Sequence, residues 1–270
     1  MMKSLFTRAA LLGASVIAFG AAASAHAEER PFCSGRPGMG TSPCALSPGR
    51  VMLETGVDWQ RIEDDTGLHD TTAFGQAILR VGVTSTMELN VGWNGFTTLR
   101  DRDQSGEVAV DHGAADALIA LKYNLKNPDG SGVSIALYPF LTVPVGKRGI
   151  GLEHMSAGLV VPVTLPLPHE FSLDIQPQIS AVVDDTSTGH NITWGTTVTL
   201  ARPVTARLTL QAEVGWQRVE TVERGESTAY VGFAGGYMLT PRLQLDVGIN
   251  LRLLGQVADH QVFFGMSRLF

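Results

Sequence analysis

The chain has 270 residues, of which 44% are hydrophobic, and a formal net charge of −6 at pH 7. An acidic chain without a basic run is a poor binder of nucleic acid, so we expect no nucleic-acid partner.

Residues 1–27 have the pattern of a secretory signal peptide. Lys3 and Arg8 give a basic start, an apolar run follows from Ala9 to Ala23, and Ala25-His26-Ala27 is typical of a cleavage site. No other run approaches the ~18 apolar residues that a spanning helix needs. We therefore expect an exported protein without a helical anchor, and without Lys3 and Arg8 its formal charge changes from −6 to −8.

Residues 28–50 are rich in proline, glycine and serine, which predicts an irregular segment. They contain the two cysteines of the chain, Cys33 and Cys44, which we expect to form a disulfide after export. Two placements of this segment stay open at this stage: a periplasmic tail, or a plug that folds into the structure that follows.

From Val51 onward, apolar and polar residues alternate in a way that predicts β-strands with two unlike faces. The stretch RLQLDVGINLRLL, residues 242–254, is the clearest example, and it is about twice the usual strand length of roughly 5–6 residues. Twelve strands are predicted, at residues 51–60, 73–83, 87–93, 115–125, 132–143, 153–164, 171–183, 190–201, 206–216, 229–239, 242–254 and 260–270.

The connections alternate between short turns and longer loops, and the longest predicted loop spans 99–114. An even number of long strands with this alternation is typical of outer-membrane barrels, because a sheet in lipid has to close on itself. Residues 51–270 are therefore predicted to form an all-β fold, a single antiparallel up-and-down transmembrane β-barrel of about 12 strands. We expect it in the outer membrane of a Gram-negative bacterium.

Aromatic residues sort by height on the predicted lipid face, which favours the membrane interpretation over a soluble β-protein. The predicted outer girdle contains all four tryptophans, and the predicted periplasmic girdle ends on a C-terminal aromatic that is typical of substrates of the outer-membrane assembly machinery. We expect that machinery, outer-membrane lipid and lipopolysaccharide as partners. The girdle residues are Trp59, Trp93, Trp194 and Trp216 on the outer side, and Tyr123, Phe171, Tyr237 and Phe270 on the periplasmic side.

The opposite face of the predicted strands is polar, and we interpret it as a lumen through which small-molecule solutes pass. A packed interior of charge pairs is the alternative, because twelve strands lie between filled eight-stranded barrels and open porins. Inward glycines favour some cavity. The predicted lumen-facing charged residues are Glu54, Asp58, Arg80, Glu88, Asp116, Lys122, Asp174, Arg207, Glu213, Asp246 and Arg252.

Two further motifs partly match known functional sites. Residues 101–112 begin like a calcium loop but have His112 at the twelfth position in place of glutamate, so a solvated acidic loop is favoured. His154 and Ser156 are spaced like the pair used by barrel lipid hydrolases, but an orienting third residue is not evident. We therefore predict no catalytic residue, no metal site and no cofactor.

Four stretches resemble the outer-membrane proteins named after the meta-pathway of phenol degradation. They are RPFCSGRPGMGTSPCALSPGRVMLETGVDW (30–59), VGWNGF (91–96), YPFLTVPVG (138–146) and YMLTPRLQLDVGINL (237–251). The resemblance implies an outer-membrane barrel, and passage of small organic compounds that include aromatic ones. The alternatives kept open are an outer-membrane lipid hydrolase and a structural or binding barrel without a pore.

Overall fold

The computed structural model describes residues 30–183, 189–221 and 225–270, so the predicted signal peptide lies outside the described residues. No helix in these ranges has the length and apolarity that crossing a membrane requires. A short 3₁₀ turn occupies Pro168–Glu170. The strands are β1 Val51–Asp64, β2 Gly67–Gly82, β3 Met87–Trp93, β4 Phe96–Asp103, β5 Val108–Ala114, β6 Ala117–Lys126, β7 Ser134–Val143, β8 Ser156–Val160, β9 Val163–Pro166, β10 Ser172–Val183, β11 His190–Pro203, β12 Leu208–Glu220, β13 Gly225–Thr240, β14 Leu243–Leu254 and β15 His260–Leu269.

The strands form one antiparallel sheet that closes on itself. Strand β1 pairs with β2 on one side and with β15 on the other, so the first and last strands of the chain join the ring. Twelve strands make this closed barrel, which confirms the predicted fold class. Closure leaves the ring without a free edge, as a sheet surrounded by lipid requires.

The other three strands, β4, β5 and β9, lie in line with ring strands. Strand β2 pairs with β3 over 77–82 and with β4 over 67–74, and β5 pairs with β4. The predicted loop at 99–114 is therefore wrong: most of it forms a β-hairpin. Residues 101–112 of this hairpin are all exposed, so no core imposes the alternation by which a strand is recognised in a sequence.

The strand predicted at 153–164 is interrupted. Strands β8 and β9 both pair with β7 and β10, but Pro162 separates them and has no backbone N–H to donate to the ladder. The carbonyl oxygen of Pro162 still accepts from Ala136 of β7 at 3.0 Å.

The two faces of the barrel differ as the alternation predicts. In β14, Leu245, Val247 and Ile249 point outward and are exposed, whereas Asp246 and Asn250 point inward and are buried. The apolar outer face suits hydrocarbon, and the polar inner face needs partners inside the barrel.

Residues 30–47, which we call the lumen segment, provide some of the hydrogen-bond and ion-pair partners of the polar inner face. At one end of the barrel, Leu46 of this segment forms an apolar cluster with Met52 and Leu269 of the wall, and Phe32 packs against it. This end also contains the short turns, for example 84–86 and 204–207, and we call it the short-turn end. The opposite end is the long-loop end.

Candidate functional site

Arg80 is the centre of a buried ion network inside the barrel, near the short-turn end. Its guanidinium donates to Glu54 of β1 at 2.7 Å and to both carboxylate oxygens of Glu88 of β3 at 2.8 and 3.0 Å. Lys122 of β6 lies 3.6 Å from Glu88. All four side chains are almost completely buried. Along these adjacent strands the interior is therefore packed with charge pairs.

The lumen segment crosses the barrel and binds the wall on the far side of this network. Arg36 donates from Nε and Nη2 to the carboxylate of Asp246, with a closest distance of 2.8 Å. The Asp246 side chain is fully buried, and that of Arg36 is 20% exposed. A Cβ atom at Gly265 would overlap the Arg36 guanidinium, so this inward glycine provides the space in which Arg36 lies.

Backbone groups of the lumen segment make the other contacts. The N–H groups of Gly35, Met39 and Thr41 donate to Glu54, Glu213 and Gln176 at 2.8, 3.2 and 2.6 Å. The segment then returns to the ion network, where the Leu46 N–H donates to Glu88 at 3.0 Å and Lys122 donates to the Cys44 carbonyl at 3.2 Å. Of the two placements that the sequence left open, the contacts of residues 34–46 are those of a segment inside the barrel.

The predicted disulfide between Cys33 and Cys44 is confirmed, with a sequence separation of 11 residues. It closes the loop that carries Arg36, Met39 and Thr41. Replacing both cysteines with serine is expected to lower the free energy of unfolding by about 3 kcal/mol or less, because the unfolded chain gains the entropy of an open loop. Guanidinium unfolding of the reconstituted protein measures this. An unchanged midpoint would contradict the expectation.

The structure separates the predicted lumen-facing residues into two groups. Glu54, Asp58, Arg80, Glu88, Asp116, Lys122, Glu213 and Asp246 are buried, and Asp174 is half-buried. Arg207 is not on the inner face of a strand: it is exposed in the turn that precedes β12 at Leu208. Arg252 is on β14 but beyond the buried inward positions, where it is exposed and pairs with Asp259.

The predicted girdle aromatics lie on ring strands or, for Phe171 and Phe270, directly beside one. Trp194 and Trp216 pack edge to face near the long-loop end, with ring centroids 4.8 Å apart. Phe270 follows β15 at the short-turn end and is 51% exposed. Their contact with lipid headgroups stays a prediction.

The other two sequence motifs are not organised as active sites. The Ser156 hydroxyl is buried and has no hydrogen-bond partner among the described residues, and His154 lies exposed in the loop before β8. At the start of the calcium-like stretch, Asp103 accepts from Ser105 at 2.7 Å and from the Glu107 N–H at 2.9 Å, which closes a turn. Within the described ranges, no group of three or more His, Cys, Asp or Glu side chains is placed to hold a metal ion.

Three cavities line up beside the lumen segment along the wall of β10 to β12. The upper cavity, nearest the long-loop end, has a volume of about 490 Å³ and is lined by Met39. The middle cavity, of about 150 Å³, is lined by Glu213 and Asp174. The lower cavity, nearest the short-turn end, has a volume of about 390 Å³ and is also lined by Asp174. Met39 and Glu213 are hydrogen-bonded to each other, so the upper and middle cavities adjoin. A continuous route from end to end would pass these two carboxylates.

Among the described residues, the hydrogen-bond donors to the carboxylates on this route are uncharged. Glu213 accepts from the hydroxyls of Tyr230 and Thr199 at 2.8 and 3.0 Å, and Asp174 accepts from the hydroxyl of Thr164. At the lower mouth, the backbone N–H and hydroxyl of Ser131 hold the pKa of Asp129 below its usual value. This turn carboxylate is therefore charged at neutral pH.

The architecture and the filled polar interior define a class, that of the outer-membrane β-barrel proteins. The chain belongs to the family described as "Putative MetA-pathway of phenol degradation", whose model matches residues 34–269. This confirms the resemblance drawn from the sequence.

Solved structures show the same fold. The NanC porin superposes with a TM-score of 0.54 at 8% identity, covering 81% of this chain and 98% of the porin chain. The β-domain of the Bordetella autotransporter BrkA superposes with a TM-score of 0.54 at 11% identity, covering 83% of this chain and 100% of that domain. No curated protein matches the chain by sequence.

Proposed function

We propose that this protein is an outer-membrane channel for small organic solutes, which pass between the lumen segment and the wall formed by β10 to β12. The observation that carries the proposal is the row of three cavities beside the lumen segment. The family description adds phenolic compounds to the solutes worth testing.

The contacts of the lumen segment indicate a restricted channel rather than a wide pore. The segment is held by side chains of β1, β10, β12 and β14, so it fills the lumen beside the ion network. Solute flux is therefore expected to be low in the resting protein. Reconstitution into planar bilayers tests this: small discrete conductance steps are expected, and a lack of steps together with a lack of solute uptake by liposomes would favour a structural barrel.

An enzyme is not favoured by the observed site. A serine nucleophile requires a base within hydrogen-bond reach, and the buried Ser156 hydroxyl has no such partner in the part of the chain that the structure describes. We therefore propose a non-enzymatic protein. Release of fatty acid from phospholipid vesicles by the wild-type protein, lost on Ser156→Ala, would overturn this part of the proposal.

The channel is expected to prefer cations over anions. Beside the proposed route, Glu213 and Asp174 accept from hydroxyl and backbone N–H donors, whereas Arg36, which also lines the middle cavity, is paired with Asp246. Fixed negative charge in a narrow, water-poor passage attracts cations and repels anions. The double substitution Glu213→Gln and Asp174→Asn is expected to lower the permeability ratio of K⁺ to Cl⁻ several-fold, measured as the reversal potential in a KCl gradient.

Asp116→Asn is the matched control for this experiment. Asp116 is also a buried carboxylate with uncharged donors, the N–H groups of Gly146 and Leu152 at 2.9 and 2.6 Å, but it does not line the three cavities. The permeability ratio of K⁺ to Cl⁻ in Asp116→Asn should stay near that of the wild type. Equal effects of the control and the double variant would place the route elsewhere.

A further inference from the structure

The upper cavity has a wall of unusual composition for a site that takes aromatic compounds. Six amide side chains line it: Gln60, Gln178, Gln217, Gln256, Gln261 and Asn250. Among the described residues around this cavity, none is an aspartate, glutamate, lysine, arginine or histidine. Its volume of about 490 Å³ is within the range of roughly 300–1,000 Å³ found for small-molecule sites.

The amides are arranged on facing parts of the barrel wall. Asn250 of β14 donates to Gln261 of β15 at 2.9 Å, and Gln178 of β10 lies 3.5 Å from Gln217 of β12. These two pairs account for only part of the hydrogen-bonding capacity, because each primary amide has two N–H donors and a carbonyl acceptor. The cavity therefore presents both donors and acceptors on opposite sides.

The floor of the cavity connects it to the lumen segment. Met39 of the segment and Tyr230 of β13 both line the cavity, and both donate to the Glu213 carboxylate, from the Met39 N–H and the Tyr230 hydroxyl. A solute in this cavity thus rests directly above Glu213 and the smaller middle cavity, which it has to pass on the proposed route.

We propose that this cavity binds an uncharged solute with several hydroxyl groups, of the size of a simple sugar; this inference rests on the proposed function only for its link to transport. A hydroxyl group donates and accepts at once, so it satisfies the mixed donors and acceptors of the wall. A charged solute would lose its hydration against a wall that carries no charged side chain among the residues that line it. An aromatic solute would leave the amides without partners. Met39 and Ile62 provide apolar surface for the carbon skeleton.

Equilibrium binding to the purified full-length protein in detergent, measured by isothermal titration calorimetry, tests the inference. The probes are glucose and sucrose, with gluconate, glucosamine and phenol as the charged and aromatic counterparts. Saturable binding of at least one neutral sugar is expected, roughly tenfold or more tighter than any of the three counterparts, the scale of one lost buried hydrogen bond. Tighter binding of phenol, or no saturable binding of either sugar, would overturn the inference.

Variants locate the site. Gln178→Met keeps the length of the side chain but removes the amide, and it is expected to weaken sugar binding several-fold; Asn250→Leu provides a second, independent loss on another strand. Gln104→Leu is the matched control, since Gln104 is exposed in the β4–β5 turn outside the cavity. Equal binding by all three variants would overturn the assignment of the cavity.

Uptake of the same solutes by liposomes separates this inference from the proposed function. Sugar binding without uptake would support the site and contradict the channel. Uptake without saturable binding would support the channel and contradict the site.

Discussion

Replacing Arg80 with methionine is expected to lower the free energy of unfolding by about 3–5 kcal/mol, the usual consequence of removing one partner from a buried ion pair. Arg80 contacts Glu54 and Glu88 at 2.7 and 2.8 Å, and both carboxylates are almost completely buried. Its Nη1 also donates to the Cys33 carbonyl at 2.9 Å, so the substitution loosens the lumen segment as well. Methionine has a similar length and no charge, so the main loss is electrostatic.

Guanidinium unfolding in lipid vesicles, followed by tryptophan fluorescence, measures this loss. Arg148→Met is the matched control: Arg148 also pairs with a glutamate, Glu153, at 2.9 Å, but its side chain is 88% exposed and water screens the pair. Adding Glu54→Gln to Arg80→Met should restore part of the stability, because one stranded charge is removed. If the Arg80 and Arg148 variants unfold alike, the buried network is not a stabilising feature.

The barrel itself could be predicted because its strands obey a simple physical rule. Lipid outside and polar groups inside impose a period of two on every ring strand, and β14 shows that period almost without error. This period is lost where a strand no longer has lipid on one face and the polar interior on the other. The β4–β5 hairpin lies beyond the ring, and its residues 101–112 are exposed on both faces, so this part of the sequence has no alternation to read. Arg207 lies outside β12 for a related reason. The strand predicted at 206–216 begins two residues before Leu208, so its first residues belong to the preceding turn.

The interior could be predicted only as a set of inward positions. Burial of Glu54, Arg80, Glu88 and Lys122 follows from alternation, but their pairing depends on which strands are neighbours and in which register. The path of the lumen segment was beyond sequence reasoning, because an irregular segment has no periodicity. Its key contact, from Arg36 to Asp246, joins residues 210 positions apart.

The upper cavity shows a different limit. Gln60, Gln178 and Gln261 each lie on an inward position of a predicted strand, and Gln217 directly follows one, but uncharged amides do not point to a site as charged or catalytic residues do. The signal that could have indicated the upper cavity is the number of glutamine and asparagine residues at inward positions. The signal is weak in any one strand, because the site arises only when β1, β10, β12 and β15 are assembled in the ring.

Replacing Arg36 with methionine is expected to raise the conductance of the channel by freeing the lumen segment from the wall. Charged hydrogen bonds contribute about 1.5–3 kcal/mol, and each 1.4 kcal/mol is about a tenfold change in population, so the detached segment should become roughly ten to a hundred times more populated. Asp246 is fully buried beneath Arg36, and Asp246→Asn in the same chain removes the charge that would otherwise be stranded there. Single-channel recording of the double variant measures the effect, as larger or more frequent open steps.

A second substitution reaches the same state without changing any charge. Gly265→Val places side-chain atoms where the Arg36 guanidinium lies, so the segment is displaced by contact while Asp246 keeps its carboxylate. Arg207→Met is the control, because it removes an equivalent positive charge from an exposed turn. If neither the Arg36 and Asp246 double variant nor Gly265→Val increases conductance while both fold into heat-modifiable barrels, the lumen segment does not limit flux. If the increase appears in both and not in Arg207→Met, the contact between Arg36 and Asp246 is what holds the passage narrow.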